Sequence, residues 1–175
     1  MPDVSYIMEG ENEALRLDLK TDPETIRSLA LWAGIKPGMR VADLGCGPGK
    51  TSYCLNQLVQ PEGSVSGIDI SAQRIDYAEA HYRHPSLDFL LGDIRQPLDH
   101  LGKFDFIWIR FVLEHYHSSS FQIVQNISNI LKPGGILCLI DLDYNCLSHY
   151  GMSGKLETAL FGVMGSLQSN ADFDP

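Results

Sequence analysis

Three glycines lie close together in one ten-residue segment, Val41–Lys50, which reads VADLGCGPGK. This segment constrains the fold of the whole chain more than any other. Glycine has no Cβ atom, so Gly45, Gly47 and Gly49 allow a ligand to lie against the backbone. The apolar residues before them predict a short strand, and KTSYCLNQLV after them predicts a helix. Asp43 precedes the glycines, and its negative charge would repel a phosphate but attract a cationic group. The segment therefore predicts a strand, a glycine loop and a helix that together face a positively charged ligand.

Strands and helices alternate along the rest of the chain. The segments predicted as strands are MRVADLG, GSVSGIDI, LDFLLGD, FDFIWIRF and GILCLIDLDY. The segments predicted as helices are TDPETIRSLALWAG, KTSYCLNQLV, AQRIDYAEAHY, SSSFQIVQNISNILK and, with a weaker pattern, SGKLETALFGVMGSLQ. The first helix begins either with a capping box of Thr21 and Glu24 or with Asp22 as its cap and Pro23 behind it. This order predicts an α/β fold, a doubly wound and mostly parallel sheet with helices on both faces.

Charge and cysteine content limit the expected partners. The net charge is −9, from 13 Lys and Arg against 22 Asp and Glu, which disfavours nucleic acid and anionic membranes. The four cysteines, Cys46, Cys54, Cys138 and Cys146, form no CxxC pair and no metal-ligand spacing with histidine. The acidic N-terminus has no signal-peptide pattern, and no apolar run approaches the ~20 residues of a membrane span. We therefore expect a soluble cytoplasmic protein with reduced thiols and no metal ion.

Carboxylates also follow the second and third predicted strands, at the edge where ligands bind in open α/β sheets. Asp69 comes 24 residues after Gly45, the usual spacing for a carboxylate that accepts hydrogen bonds from both ribose hydroxyls. Asp93 is placed to accept from the exocyclic amine of a purine, with the Ile94 amide donating to a ring nitrogen. Ile70 is placed to pack on the adenine or ribose. We expect the Asp69 side chain at the rim of the pocket.

Two residues disfavour a dinucleotide as the ligand. The third glycine of a G-x-G-x-x-G fingerprint would fall on Lys50. The pyrophosphate of a dinucleotide would also meet the like charge of Asp43. A nicotinamide-dependent oxidoreductase is therefore the weaker alternative, and a cationic nucleoside is the expected ligand.

Five motifs in this order, VADLGCGPG, GIDIS, LLGDI, FDFIWIRFVLEH and LKPGGILCLIDLD, resemble the class I S-adenosylmethionine-dependent methyltransferases. The chain looks most like the small-molecule enzymes of the ubiquinone/menaquinone type, over roughly residues 39–143. The resemblance implies S-adenosyl-L-methionine as cofactor, S-adenosyl-L-homocysteine as product, and in-line transfer of a methyl group to an O, N or C atom of a small molecule. The family fold ends in two further strands that this sequence does not show. We therefore expect a Rossmann-like methyltransferase fold that lacks its last two strands.

The resemblance also implies roles for the residues of the glycine loop. Asp43 would lie near the methionine end of the cofactor, and Gly45, Cys46 and Gly47 would line its methionine and ribose. The backbone of Arg110 would hold the amino group. The ribose and adenine positions implied by the resemblance agree with those inferred above from spacing.

Residues outside these motifs are weaker candidates. Tyr6 and Arg16 lie where related enzymes close an N-terminal helix over the cofactor, and Arg16 would pair with the cofactor carboxylate. His115 is a candidate general base beside Glu114. Alternatively, these two residues only satisfy loop backbone and pack under the next helix, so no catalytic residue is assigned.

The expected organisation has three parts: an N-terminal helical cap (1–38), a cofactor-binding Rossmann-like domain (39–150), and the start of a C-terminal substrate region (151–175), expected to be truncated. The expected partner is a small-molecule acceptor, with neither nucleic acid nor membrane, and a homo-oligomer is compatible with the sequence. A second class of function remains open: a non-catalytic cofactor-binding subunit that acts through a protein partner.

Overall fold

The computed structural model describes residues 12–142 and 151–172, and its centre is one parallel sheet. The five strands of the described residues are β1 (Arg40–Leu44), β2 (Ser64–Asp69), β3 (Leu87–Leu91), β4 (Phe104–Arg110) and β5 (Leu131–Ile140). They lie in the order β3-β2-β1-β4-β5, and each neighbouring pair is parallel. The doubly wound α/β fold predicted from the sequence is therefore confirmed, with β1 at its centre.

Helices flank this sheet. Those of the described residues are α1 (Glu13–Lys20), α2 (Pro23–Ala33), α3 (Lys50–Val59), α4 (Ala72–His81), α5 (Ser120–Ser128) and α6 (Gly154–Ala171). Two short 3-10 helices, Asp99–Leu101 and Leu113–Tyr116, precede and follow β4. None of the helices in the described ranges has both the length and the apolar character needed to cross a membrane.

The two faces of the sheet pack against different helices. Successive strand residues point to opposite faces, so β4 supplies Phe106 and Trp108 to one face and Ile107 and Ile109 to the other. The first face is covered by buried residues of α2, α3 and α4, such as Ile26, Leu55 and Ala78. The second face is covered by α5 through Ile123 and Ile127. Burial of each large apolar side chain contributes about 1.5–3 kcal/mol to the free energy of unfolding. The apolar side chains lie on the two faces of the sheet, and the polar candidates lie at the strand ends.

The start of α2 decides between the two predicted caps. The Asp22 side chain accepts hydrogen bonds from the backbone N–H groups of Glu24 and Thr25, and Pro23 occupies the first turn. The cap formed by Asp22 and Pro23 is therefore correct, and the capping box that starts at Thr21 is not formed.

The residue pattern did not predict helix α1, although the family resemblance implied an N-terminal helix in this part of the chain. Its segment, EALRLDLK, alternates apolar and polar residues with a period of two, which resembles a strand pattern. Most of these residues are nevertheless strong helix formers, and propensity prevails over the alternation here.

The boundary between α5 and β5 differs from the prediction. Helix α5 ends at Ser128 instead of continuing towards Lys132, and β5 spans Leu131–Ile140. Pro133 disfavours helical backbone at the residue before it, and Leu131 instead pairs with Phe104 of β4. The register then shifts, so that Phe106 pairs with Ile136.

Glycine geometry at the start of α3 gives a stability prediction. Gly49 has φ +91°, and a Cβ there would lie 2.6 Å from the Ala78 Cβ and 2.7 Å from the Phe89 Cζ. Gly38 has a similar φ of +82°, but a Cβ there would meet nothing within 4 Å. We expect Gly49→Ala to lower the free energy of unfolding by about 2–5 kcal/mol, because strain and overlap add. The matched Gly38→Ala should lose only about 1–2 kcal/mol. Urea denaturation measures both, and equal losses would contradict a tightly packed Gly49.

Candidate functional site

The carboxyl ends of the central strands bring the predicted residues to one edge of the sheet. Asp43 of β1 lies opposite Gly67 of β2 and Trp108 of β4. Asp69 is the last residue of β2, and Arg110 is the last residue of β4. The glycine loop after β1 therefore lies between the ends of β2 and β4.

Hydrogen bonds from the loop to β2 fix its first turn. The N–H groups of Gly45 and Cys46 both donate to the Ile68 carbonyl, at 2.7 and 3.0 Å. Gly45 has φ +79°, and a Cβ there would approach Val112 Cγ2 to 2.4 Å. Only glycine therefore allows the loop to lie this close to the segment after β4.

The second turn of the loop is held by a carboxylate. Gly47 has φ +56°, and its N–H donates to Asp69 Oδ2 at 2.9 Å. Leu17 of α1 lies 3.8 Å from the position of a Gly47 Cβ, so α1 packs over the loop. Cys46 is buried, and burial is the main cause that raises the pKa of its thiol well above the usual range. Cys46 is therefore a small neutral side chain here. If it lines the site, it does so through its small size and not through a charged thiolate.

Asp43 is almost completely buried, at 2% exposure. Ser52 Oγ of α3 donates to its Oδ2 at 2.6 Å. Burial raises the pKa of Asp43 to about 7, and the nearby charge of Asp69 adds to this, whereas Ser52 and Arg110 oppose it. Asp43 therefore changes charge near neutral pH.

Asp69 is not at the rim of a pocket, contrary to the expectation from the sequence. It is 6% exposed, and its carboxylate accepts three hydrogen bonds within the described chain. Oδ2 accepts from Gly47 N, and Oδ1 accepts from Ser71 N at 2.9 Å and Arg74 Nε at 3.0 Å. The reason is structural: α4 begins directly after β2 and brings an arginine back onto the carboxylate. A substitution of Asp69 would therefore affect stability, because three contacts within the chain would be lost.

Asp93 also has an arginine partner. Both of its oxygens accept hydrogen bonds from the Arg95 guanidinium, at 2.8 to 3.0 Å. The backbone N–H of Arg95 also donates to Oδ1, at 2.9 Å. Partial burial would raise the pKa of Asp93, but these bonds outweigh it and hold the pKa below its usual range. Ile94 is buried at 5% exposure, whereas Ile70 is 46% exposed and available to a ligand.

Strained backbone follows β4. Phe111 has φ +56°, an uncommon value for a bulky residue, and its N–H donates to the Ile140 carbonyl at 2.8 Å. The Arg110 guanidinium lies over the Phe111 ring, 4.4 Å from its centroid. Burial lowers the pKa of Arg110, and the charge of Asp43 opposes this effect.

The turn after β4 holds the two catalytic candidates. His115 Nε2 lies 3.4 Å from Glu114 Oε1. Asp141, just after β5, accepts from the backbone N–H groups of Leu113 and Glu114 at 3.0 and 3.3 Å. Burial first, and then the charge and hydrogen bond of Asp141, raise the pKa of Glu114 to about 7. The buried Glu114 Oε2 has no donor among the described residues, which agrees with a proton on this carboxyl group.

Burial has the opposite effect on the neighbouring imidazole. It lowers the pKa of His115, so the ring is more easily neutral at neutral pH. At this turn, the neutral imidazole of His115 could accept a proton, and the carboxyl group of Glu114 could donate or accept one.

Of the N-terminal candidates, one can be described. Arg16 lies on α1 and forms an ion pair with Glu13, with Nη2 to Oε1 at 2.5 Å and Nε to Oε2 at 2.6 Å. Tyr6 lies outside the described residues. The role of Arg16 towards a cofactor carboxylate remains a prediction.

Sequence reasoning missed four residues that shape this edge: Ser52, Arg74, Arg95 and Asp141. Asp141 could have been found in the same way as Asp69 and Asp93, by looking for a carboxylate at the end of a strand, since it follows β5 directly. The predicted fifth strand ran to residue 144, however, which placed Asp141 inside a strand.

Within the described ranges, no group of three His, Cys, Asp or Glu is arranged to hold a metal ion. Cys46, Cys54 and Cys138 are free buried thiols, and Cys146 lies outside the described residues.

The sheet order, the glycine loop after β1 and the carboxylates at the strand ends define a Rossmann-like methyltransferase fold. Residues 35–171 match the family profile described as a methyltransferase domain. The chain belongs to this family of methyltransferase domains. The resemblance to class I S-adenosylmethionine-dependent methyltransferases is thereby confirmed.

Characterised relatives carry the same domain in longer chains. Demethylmenaquinone methyltransferase from Lactococcus lactis is 28% identical over 122 residues, which cover 68% of this chain and 48% of that protein. Arsenite methyltransferase from Mus musculus is 30% identical over 116 residues, which cover 59% of this chain and 30% of that protein. The chain spans half or less of the length of these relatives.

A solved structure agrees over a larger share of both chains. A SAM dependent methyltransferase from Aquifex aeolicus is similar with a TM-score of 0.58 and 22% identity, covering 86% of this chain and 88% of that one. At this identity the likeness concerns the fold.

The buried Asp43 gives a prediction for stability against pH. The pKa of this side chain is near its ordinary value of 3.8 in the unfolded chain, whereas burial raises it to about 7 in the folded chain. Unfolding therefore releases a proton between these values, and raising the pH through this window should lower stability. We expect Asp43→Asn to remove up to about 4 kcal/mol of this pH dependence. Unfolding free energies from pH 4 to pH 8 for both proteins measure it, and parallel curves would contradict the raised pKa.

The carboxyl pair of Glu114 and Asp141 gives a second prediction. Asp141→Asn removes the neighbouring charge but keeps an oxygen that can accept from the two backbone N–H groups. We expect the pKa of Glu114 to fall, while burial keeps it above its usual value. Carbon-13 NMR titration of the glutamate carboxyl groups measures this shift. A Glu114 pKa that stays near 7 would show that burial alone raises it.

Proposed function

We propose that this chain is the cofactor-binding and catalytic part of an S-adenosylmethionine-dependent methyltransferase that acts on a small molecule. The observation that carries the proposal is the glycine loop joined by Gly47 to Asp69, with buried Asp43 beneath it, in a chain of the methyltransferase-domain family. The methyl acceptor would be an O, N or C atom, and the second product would be S-adenosyl-L-homocysteine.

The residues at the strand ends fit this cofactor. Gly45 has no Cβ at the point where the loop lies close to Val112. Gly45 and Gly47, together with Cys46, would line the methionine and ribose of the cofactor. Asp69 Oδ2 can still accept a hydrogen bond from a ribose hydroxyl. Asp43 supplies a negative charge when it is ionised, which favours a cationic group.

The outer residues would hold the adenine and the amino acid end. Ile70 is exposed enough to pack on the adenine or ribose, and Asp93 with the Ile94 amide would hydrogen-bond to the base. The Arg110 backbone would hold the amino group of the cofactor. We also propose, from the family resemblance alone, that Tyr6 and Arg16 contact the cofactor and that Arg16 pairs with its carboxylate.

When bound, the cofactor supplies a methyl group that is already activated, so the chain mainly has to orient the acceptor and exclude water. A base is needed only for an acceptor that loses a proton. Glu114 and His115, at the turn after β4, are the residues we propose for that step.

The relatives support a small acceptor. Their names concern demethylmenaquinone and arsenite, both small compared with a nucleic acid or a protein. The net charge of −9 also disfavours a polyanionic acceptor. We further propose a cytoplasmic location, residues 1–38 as a helical cap, residues 39–150 as the cofactor domain, and residues 151–175 as part of the substrate region.

Calorimetry with the sulfonium cofactor and its thioether product tests the proposal. We expect both to bind, and the affinity for the sulfonium form to rise as the pH passes about 7, because Asp43 then becomes charged. The neutral sulfur of S-adenosyl-L-homocysteine should show a weaker dependence. Asp43→Asn should reduce the affinity for the sulfonium form by about tenfold, equivalent to ~1.4 kcal/mol, and affect the thioether less.

Two outcomes would contradict the proposal. The folded protein should bind neither NAD nor NADP more tightly than S-adenosyl-L-homocysteine, since Asp43 and Lys50 disfavour a pyrophosphate. Tighter binding of a nicotinamide dinucleotide, or no binding of either sulfur nucleoside, would reject the assignment. Circular dichroism of Asp43→Asn confirms that the variant is folded before its affinities are compared.

A further inference from the structure

Among the described residues, the guanidinium of Arg110 has no hydrogen-bond or ion-pair partner. It is half-buried at the end of β4, and a guanidinium keeps its charge and its five N–H donors at any physiological pH. The guanidinium groups of Arg40, Arg74 and Arg95, in contrast, all donate to oxygen atoms of the chain. Partial burial of an unpaired charge is costly, and the cost is offset when an anion binds to it. Arg110 is therefore a candidate anion-binding group.

The residue that follows Arg110 supports its guanidinium. The guanidinium carbon lies over the Phe111 ring, 4.4 Å from its centroid, and this attraction to the ring leaves the N–H donors available. Phe111 has φ +56°, and its backbone N–H donates to the Ile140 carbonyl at 2.8 Å, so pairing with β5 holds it in a conformation that is uncommon for a bulky residue. Strained backbone of this kind is concentrated in segments that bind ligands. The Phe111 side chain is 39% exposed, so it offers apolar surface beside the charge.

The guanidinium lies on the side of the sheet that carries Asp43. Residues two apart on a strand point to the same face, so Arg110 follows Trp108, and Trp108 lies opposite Asp43 in the sheet register. The charges of Asp43 and Arg110 are close enough to interact, but these two described side chains form no ion pair. Arg110 therefore borders the proposed cofactor site while its donors remain available to a second molecule.

The segment after Arg110 leads directly to the turn proposed for proton transfer. Val112 packs against the glycine loop, because a Cβ on Gly45 would approach its Cγ2 to 2.4 Å. Glu114 and His115 follow in the 3-10 helix that begins one residue later. An anion on Arg110 would therefore lie near both the cofactor loop and the candidate bases, which is where an acceptor has to be placed.

We propose that the Arg110 side chain binds a carboxylate of the methyl acceptor, and that the acceptor is a small organic acid whose apolar part packs on Phe111. The inference rests on the proposed function, since it concerns the acceptor of that reaction. A guanidinium binds a carboxylate through two parallel hydrogen bonds. One guanidinium balances one negative charge, and the nearby Asp43 and the net charge of −9 disfavour a doubly charged phosphate.

Benzoate and benzamide are matched probes of this site, because they have nearly the same shape and differ in charge. Each is titrated into the wild-type chain, labelled with nitrogen-15 and saturated with S-adenosyl-L-homocysteine, and NMR measures the weak binding expected of such small molecules. We expect benzoate to bind at least about tenfold more tightly than benzamide, since it accepts charge-assisted hydrogen bonds. Equal affinities, or no binding of either probe, would overturn the proposal.

The cofactor has a carboxylate of its own, and the same titration separates the two sources. If Arg110 held the cofactor carboxylate, saturation with S-adenosyl-L-homocysteine would abolish the benzoate binding seen without it, and this result would overturn the proposal. If the nucleoside binds and benzoate is not preferred, this inference fails while the cofactor assignment stands. If the nucleoside itself does not bind, the proposed function fails, and this inference fails with it.

Three variants test the role of the guanidinium. Arg110→Met should remove the preference for benzoate, and Arg110→Lys should keep a reduced preference, because lysine retains the charge but not the paired N–H geometry. Arg83→Met, which removes an exposed arginine just after α4, should keep the wild-type preference. A preference that survives in folded Arg110→Met would overturn the proposal. If circular dichroism shows that Arg110→Met does not fold, the wild-type Arg110 Nε–H signal decides, and a signal that benzoate does not shift would reject the assignment.

Discussion

The Asp69 carboxylate is the interaction on which the geometry of this site depends. It joins the glycine loop after β1, the end of β2 and the start of α4, through Gly47, Ser71 and Arg74. Without it, an N–H group of the loop would lose its acceptor and the guanidinium of Arg74 would lose this buried ion pair, and both losses are costly. The proposed ribose contact and the stability of the loop are therefore linked at this residue. The loop is held in place before any ligand arrives.

Most of the fold could be predicted from local sequence patterns. Helix α3 was predicted with its observed bounds, Lys50–Val59, since glycines precede it and its apolar residues recur at helical spacing. The parallel sheet with helices on both faces follows from the alternation of strands and helices, whereas the strand order β3-β2-β1-β4-β5 is known only from the structure. The patterns failed where two signals conflicted. The alternating residues of α1 obscured a helix, and the pairing of Leu131 with Phe104 ended α5 earlier than its apolar stripe suggested.

The positions of the site residues could be predicted, but their partners could not. The spacing of Asp69 from the glycines placed it at the correct strand end, but it could not show that Arg74 lies on the same carboxylate. Asp141 contacts the backbone of Leu113 and Glu114 only because β4 and β5 pair side by side up to Arg110 and Ile140. Such contacts depend on how the elements pack, and a single sequence does not contain a local signal for them.

These partners change the electrostatic argument for a cationic ligand. The sequence showed three carboxylates at neighbouring strand ends and suggested a uniformly acidic groove. Arg74 and Arg95 neutralise Asp69 and Asp93, which act as hydrogen-bond acceptors more than as net charges. The attraction for a cation therefore rests mainly on Asp43, whose pKa of about 7 makes its charge depend on pH. Because a cationic ligand favours the ionised form, its binding should itself promote loss of the Asp43 proton. Under the proposed function, recognition of the nucleoside and recognition of its charge would thus be carried by different residues.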